Sequence, residues 1–109
     1  MTGLAFGMVT SGRSPDFAAR QHAALLARVA ASKDRLAFAE LFDHFAPRVK
    51  SFMMRKGASA EVAEDLVQET MIAVWSKAAL YAPERGTVAT WIFTIARNLR
   101  IDRLRRERT

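Results

Sequence analysis

The chain has 109 residues, enough for one small domain with a single core. Half of the residues are hydrophobic, there is no cysteine, and the net charge is +6. These values exclude a disulfide framework, a thiolate metal site and a fully disordered chain, and they point to nucleic acid or an anionic surface as a partner. No apolar run reaches the length of a membrane span, and the N-terminus lacks the basic start of a signal peptide, so a cytoplasmic setting is expected.

Residues 1–13 carry Gly, Ser and Thr without periodicity and read as an N-terminal arm. A domain is expected over 14–109. Ser14-Pro15-Asp16 supplies a cap residue, a proline for the first helical position and an acid near the positive helix end. Ala18, Leu25, Leu26 and Val29 continue with helical spacing to about Ala31. Asp34 is placed to cap a second helix. There Phe38, Leu41, Phe42, Phe45, Val49, Phe52 and Met53 form a stripe at the i, i+3, i+4, i+7 spacing. Four phenylalanines on one stripe read as core. Pro47 has no N–H to give the carbonyl of Asp43, so a kink or a split is expected there. Gly57 suits the left-handed position that ends the run.

Ser59 is the expected cap of a third helix that runs to about Leu80. Ala63, Val67, Thr70, Met71, Val74 and Ala78 make its core side. Glu61, Asp65, Gln68, Glu69 and Ile72 fall opposite, with Ser76. An apolar residue ringed by acids and an amide is the pattern of a protein interface. It is equally the pattern of an acidic solvent face with one stray isoleucine. His22 and His44 are each isolated in the sequence and read as structural or surface histidines. Ala79 to Gly86 then forms a loop marked by Pro83 and Gly86.

Thr87, after Gly86, is the expected cap of a fourth helix reaching Arg108. Val88, Ala89, Ile92, Ile95, Ala96 and Leu99 make its core stripe. Thr90, Trp91, Thr94, Arg97, Asn98, Ile101, Arg105 and Arg108 lie on the other side. Arg neutralises phosphate, Asn and Thr bond base edges, and Trp offers a surface for stacking. The plainer reading is a solvated basic helix with Trp91 at the core boundary. Charge is segregated: residues 94–109 hold six Arg against Asp102 and Glu107, and residues 61–69 hold four acids and no base. Such segregation suggests two different partners. No strand pattern, phosphate loop or nucleophile–base constellation is visible. The expected architecture is therefore all-α, a bundle of about four helices, with no catalytic residue, metal or cofactor.

The segments AEDLVQETMIAVWSKA and YAPERGTVATWIFTIARNLRIDRLRR resemble region 2 of bacterial sigma factors, and most of all the extracytoplasmic-function group. The likeness covers about Leu25 to Arg106 and is loose before Leu25. It rests on two motifs in order: Asp65-Leu66-Val67-Gln68-Glu69, then Thr90-Trp91 followed by Arg97-Asn98 and Asp102-x-x-Leu-Arg. The resemblance implies that the face of Glu61, Asp65, Gln68, Glu69 and Ile72 docks on the clamp helices of the RNA polymerase β′ subunit. It implies that Tyr81, Arg85, Gly86, Trp91, Thr94, Arg97, Asn98, Ile101 and Arg105 recognise and melt the −10 promoter element as single-stranded non-template DNA. The loop would cradle a flipped base, Trp91 would sit near the point of strand separation, and Asn98 would lie where bases are read. It further implies an anti-sigma factor as a partner and no chemistry by this chain.

The likeness has gaps. The second helical domain that reads the −35 element is absent, and the chain stops where an interdomain linker would begin. A fragment or a region-2-only protein is therefore expected. Ala82-Pro83-Glu84 matches no pattern that names the captured base. The alternatives are a helical nucleic-acid binder outside the sigma family, or a protein-interaction adaptor with a basic helix.

Overall fold

The computed structural model describes residues 15–108, so the proposed arm and Ser14 lie outside the described residues. Four helices follow one another: α1 (Pro15–Ser32), α2 (Arg35–Arg55), α3 (Ala60–Lys77) and α4 (Val88–Arg108). Short 3-10 turns at Ala78–Leu80 and Pro83–Arg85 join α3 to α4. No strand occurs among the described residues, and the all-α expectation holds.

The helix starts follow from local chemistry. The first N–H groups of a helix lack intrahelical partners, and a short polar side chain at the cap supplies one. Asp34 Oδ1 accepts from Ala37 N at 3.0 Å, Ser59 Oγ from Val62 N at 3.1 Å, and Thr87 Oγ1 from Thr90 N at 3.2 Å. Arg28 also donates two hydrogen bonds to Asp34. The Ala37 N–H first and Arg28 second hold the Asp34 carboxyl below its usual 3.8. At the end of α2, Gly57 adopts φ +100°, a left-handed conformation that costs glycine least.

Lys33 holds φ +54° at the α1–α2 corner, a conformation that costs a residue with a Cβ about 1–2 kcal/mol. Its Nζ donates to the carbonyl of Trp75 and sits 4.9 Å from the Trp75 ring centre. These contacts offset the cost and tie the corner to the end of α3.

The core lies where α2 packs against α1 and α3, and α3 against α4. Leu26, Val29, Leu41, Phe45, Val49, Met53, Val67, Met71, Val74, Val88, Ile92 and Ala96 are buried, as are Ala37 and Leu66, which the stripes did not include. Each large side chain here contributes about 1.5–3 kcal/mol of transfer free energy. Thr70 is also buried, and its hydroxyl donates to Leu66 O at 2.7 Å.

Three expectations need correction. Of the four stripe phenylalanines only Phe45 is fully buried; Phe38, Phe42 and Phe52 are half-buried at the margin. Of the kink or split expected at Pro47, the split does not occur, since α2 runs unbroken from Arg35 to Arg55. Pro47 is exposed between the buried anchors Phe45 and Val49, so water reaches the region of the missing hydrogen bond while packing holds the helix. Helix α3 ends at Lys77, and Ala78–Leu80 tightens into a 3-10 turn.

Candidate nucleic-acid interface

The turn between α3 and α4 is built around Tyr81. Its phenol donates to Gly86 O at 2.7 Å, and its ring centre lies 5.7 Å from that of Trp91. Gly86 sits at φ +147°, where a side chain would be strained, and this sharp turn delivers Thr87 to its capping position. Together these contacts shape a cleft of about 250 Å³. Tyr81, Arg85, Gly86, Trp91 and Thr94, all singled out from the sequence, line it. Leu80, Ala82, Thr87 and Thr90 complete the lining. The lining combines the Tyr81 and Trp91 rings, the Thr87, Thr90 and Thr94 side chains and Arg85. That combination accepts a flat, hydrogen-bonding, anionic-tethered group such as a nucleotide.

Trp91 is half-buried and spends part of its ring on Tyr81. It combines the two sequence readings: boundary core on one side, cleft wall on the other. Arg97, Asn98, Ile101 and Arg105 do not enter the cleft. They are exposed on α4 beyond it. Leu80 escaped the sequence reading, although it is 72% exposed. Its place in the cleft depends on a 3-10 turn that helical periodicity does not report.

On α3, Glu61, Asp65 and Gln68 are exposed, Glu69 is half-buried, and Ile72 is 64% exposed. The acidic row with its apolar centre is therefore present as a surface. It also contacts the basic helix: Arg103 lies 3.6 Å from Asp65 and 3.1 Å from Glu107. Arg100 donates to Lys56 O at 3.0 Å and braces α4 against the α2–α3 corner. Neither cross-helix arginine contact was visible in the sequence.

The histidines are not isolated. His22 of α1 and His44 of α2 have ring centres 4.5 Å apart, and both contact Phe45. Helix packing joins two residues that are distant in the sequence. Burial first, and the Arg48 charge second, push both imidazoles below their usual 6.5. Among the described residues no group of three or more His, Cys, Asp or Glu is arranged to hold a metal ion. No described helix is long and apolar enough to cross a membrane.

Residues 41–109 match the Sigma-70 region 2 family. The chain belongs to that family. Over 85 residues it is 55% identical to the ECF RNA polymerase sigma factor RpoE of Cereibacter sphaeroides, covering 78% of this chain and 47% of the relative. Over 84 residues it is 37% identical to the ECF RNA polymerase sigma factor SigK of Mycobacterium tuberculosis, covering 77% and 44%. The fold matches the crystal structure of Rhodobacter sphaeroides SigE in complex with the anti-sigma ChrR, with a TM-score of 0.73 and 51% identity. That match covers 77% of this chain and 54% of SigE. The sigma region 2 domain thus spans about half the length of the relatives it matches. Both of these relatives are ECF RNA polymerase sigma factors.

Proposed function

We propose that this region 2 domain joins RNA polymerase to promoter DNA through two surfaces of one bundle. The row of Glu61, Asp65, Gln68, Glu69 and Ile72 docks on the β′ clamp helices. Its carboxylates pair with clamp cations around the Ile72 contact. The cleft of Tyr81, Arg85, Gly86, Trp91 and Thr94 captures a base unstacked from the non-template strand of the −10 element. Arg97, Asn98, Ile101 and Arg105 follow the strand along α4. Unstacking a base costs a few kcal/mol, which stacking and pocket contacts offset. The domain supplies specificity and the polymerase supplies the chemistry, in the cytoplasm. An anti-sigma factor that covers these surfaces is the proposed negative regulator, by analogy with the SigE–ChrR complex.

The cleft carries this reading. An aromatic-walled pocket beside a basic helix is of little use to a general DNA-backbone binder, but it suits a protein that removes a base from its stack. The test is binding to core RNA polymerase, followed by binding of the assembled complex to a single-stranded −10 oligonucleotide. Asp65→Arg should abolish polymerase binding while the fold persists. Arg103→Ala removes the same internal ion pair from the other side and should leave polymerase binding largely intact. Unchanged binding by Asp65→Arg, or equal loss in both variants, would overturn the clamp assignment.

A further inference from the structure

Helix α1 meets its neighbours along two flanks. On one, His22 lies against His44 of α2 with ring centres 4.5 Å apart, and both rings contact the buried Phe45. The hollow around this pair is lined from α1 and α2 alone, and its other charged members are Glu40, Asp43 and Arg48. On the second flank, Ala23, Ala27, Ala30 and Ala31 line an apolar hollow of about 400 Å³ together with Tyr81 and Pro83 of the turn after α3. Tyr81 borders both this hollow and the cleft. Helix α1 also packs against the Ala78–Leu80 turn itself. Its hold on the bundle is slight: of its described side chains only Leu26 and Val29 are fully buried. The acidic row has a different support, since α3 packs chiefly against α2 and α4.

We propose that α1 positions the base-capturing turn, and that the His22–His44 contact makes this support yield in acid. The proposal rests on the reading of the cleft as a base-capturing site. Two neutral imidazoles pack against each other and Phe45 without charge. A protonated imidazole stands beside Arg48, and a second proton sets three cations together. Glu40 and Asp43 oppose this effect, but both are exposed. Burial first and the Arg48 charge second prevail, and both imidazoles titrate below their usual 6.5. A proton therefore binds more readily when α1 is lifted from α2. The support is complete above about pH 7.5, weakens as pH falls through 6.5, and levels off below the packed-state values. Lifting α1 leaves Tyr81 and Pro83 without backing. Fewer molecules then present a formed cleft, and the apparent affinity for the strand falls with that fraction. The acidic row on α3 stays in place.

The test compares the parent with the double variant His22→Gln/His44→Gln, which has no imidazole at the seam. Each chain, bound to core RNA polymerase, is titrated with the single-stranded −10 oligonucleotide at about pH 7.5 and about pH 5.5. Across this range the parent should lose about three- to tenfold in affinity, and the variant less than about twofold. Polymerase binding should change equally in the two chains. Hydrogen exchange, corrected for the intrinsic effect of pH, should rise in acid over α1 and residues 78–86 of the parent and not over α3. Should the double variant fail to fold in a urea titration, exchange in the parent decides alone. An equally steep pH profile in the folded variant would overturn the proposal. So would α1 amides equally protected at both pH values, or polymerase binding lost in step with DNA binding. A Tyr81→Ala variant that binds the strand as well as the parent at about pH 7.5 would overturn the reading of the cleft, and this proposal with it. A defect in Tyr81→Ala beside a flat pH profile in the parent would overturn this proposal alone.

Discussion

Replacing Tyr81 by Phe removes one hydroxyl from the turn that shapes the cleft. The ring and its packing against Trp91 remain, so the change isolates the hydrogen bond to Gly86 O at 2.7 Å. A net intramolecular hydrogen bond contributes about 0.5–1.5 kcal/mol. The Gly86 residue is only half-buried, so its carbonyl regains water in the variant and the upper end of the range is not reached. We expect a loss of about 1 kcal/mol. In urea this moves the midpoint by about 0.5–1 M with an unchanged slope. In a thermal melt it lowers Tm by about 4–8 °C. Tyr81→Ala also removes the ring, and should cost about 2 kcal/mol or more because a half-buried aromatic forfeits part of the 3–5 kcal/mol of a buried one. The affinity of the polymerase-bound domain for the single strand should fall in the same order. A Tyr81→Phe variant as stable as the parent would refute the idea that this bond sets the turn. Equal stability loss in both variants would refute the division between hydrogen bond and ring.

Asn98→Ala should weaken binding to the preferred single strand by about 1–3 kcal/mol and binding to a scrambled strand by less, as equilibrium titration would measure; equal losses would reduce Asn98 to a backbone contact. The His22–His44 pair has its folded-state pKa values below 6.5, so the unfolded chain protonates first as pH falls. Stability should therefore be full above about pH 7.5, decline through pH 6.5, and level off below the folded-state values; the double variant His22→Gln/His44→Gln should flatten this slope in urea midpoints, and an equally steep slope would assign it elsewhere. Asp34 shows the opposite sign. Its carboxyl is held below 3.8, so its contribution is present above that pH and is lost as pH falls through the lower folded-state value. Asp34→Ala should melt earlier than the parent at neutral pH, and the gap should close in acid.

What the sequence reveals is what neighbours along the chain decide. Asp34, Ser59 and Thr87 cap helices because a short polar side chain reaches an N–H three residues ahead, and Gly57 ends one because of its own φ. The stripes on α2, α3 and α4 follow from the period of the helix. Contacts between helices depend on crossing geometry, and there the sequence is silent. It separates His22 from His44, which the α1–α2 packing brings to 4.5 Å. It places Phe52 in the core, where α4 instead leaves it half-buried at the core margin against Phe93. The loop and the outer face of α4 offered Tyr81, Arg85, Trp91 and Thr94 as candidates in the sequence. That they enclose one cleft follows from two 3-10 turns and the Tyr81–Gly86 bond, which no periodicity announces.

The charge pattern shows the same limit in another form. An acidic α3 and a basic α4 read as two surfaces for two partners, yet Arg103 of α4 lies 3.6 Å from Asp65 of α3. Asp65 is 64% exposed in this pair, and an exposed ion pair contributes only about 0–1 kcal/mol. The pair cannot be what fixes the two helices together. That task falls to the packed layer of Leu66, Val67, Met71 and Val74 on α3 with Val88, Ile92 and Ala96 on α4, all of them buried. The consequence is a division of labour. The apolar seam sets the distance between the acidic row and the cleft, so a protein and a DNA strand bound to the two faces would be held in one geometry. The ion pair above the seam is weak enough that Asp65 can exchange Arg103 for a cation on a partner without disturbing that geometry.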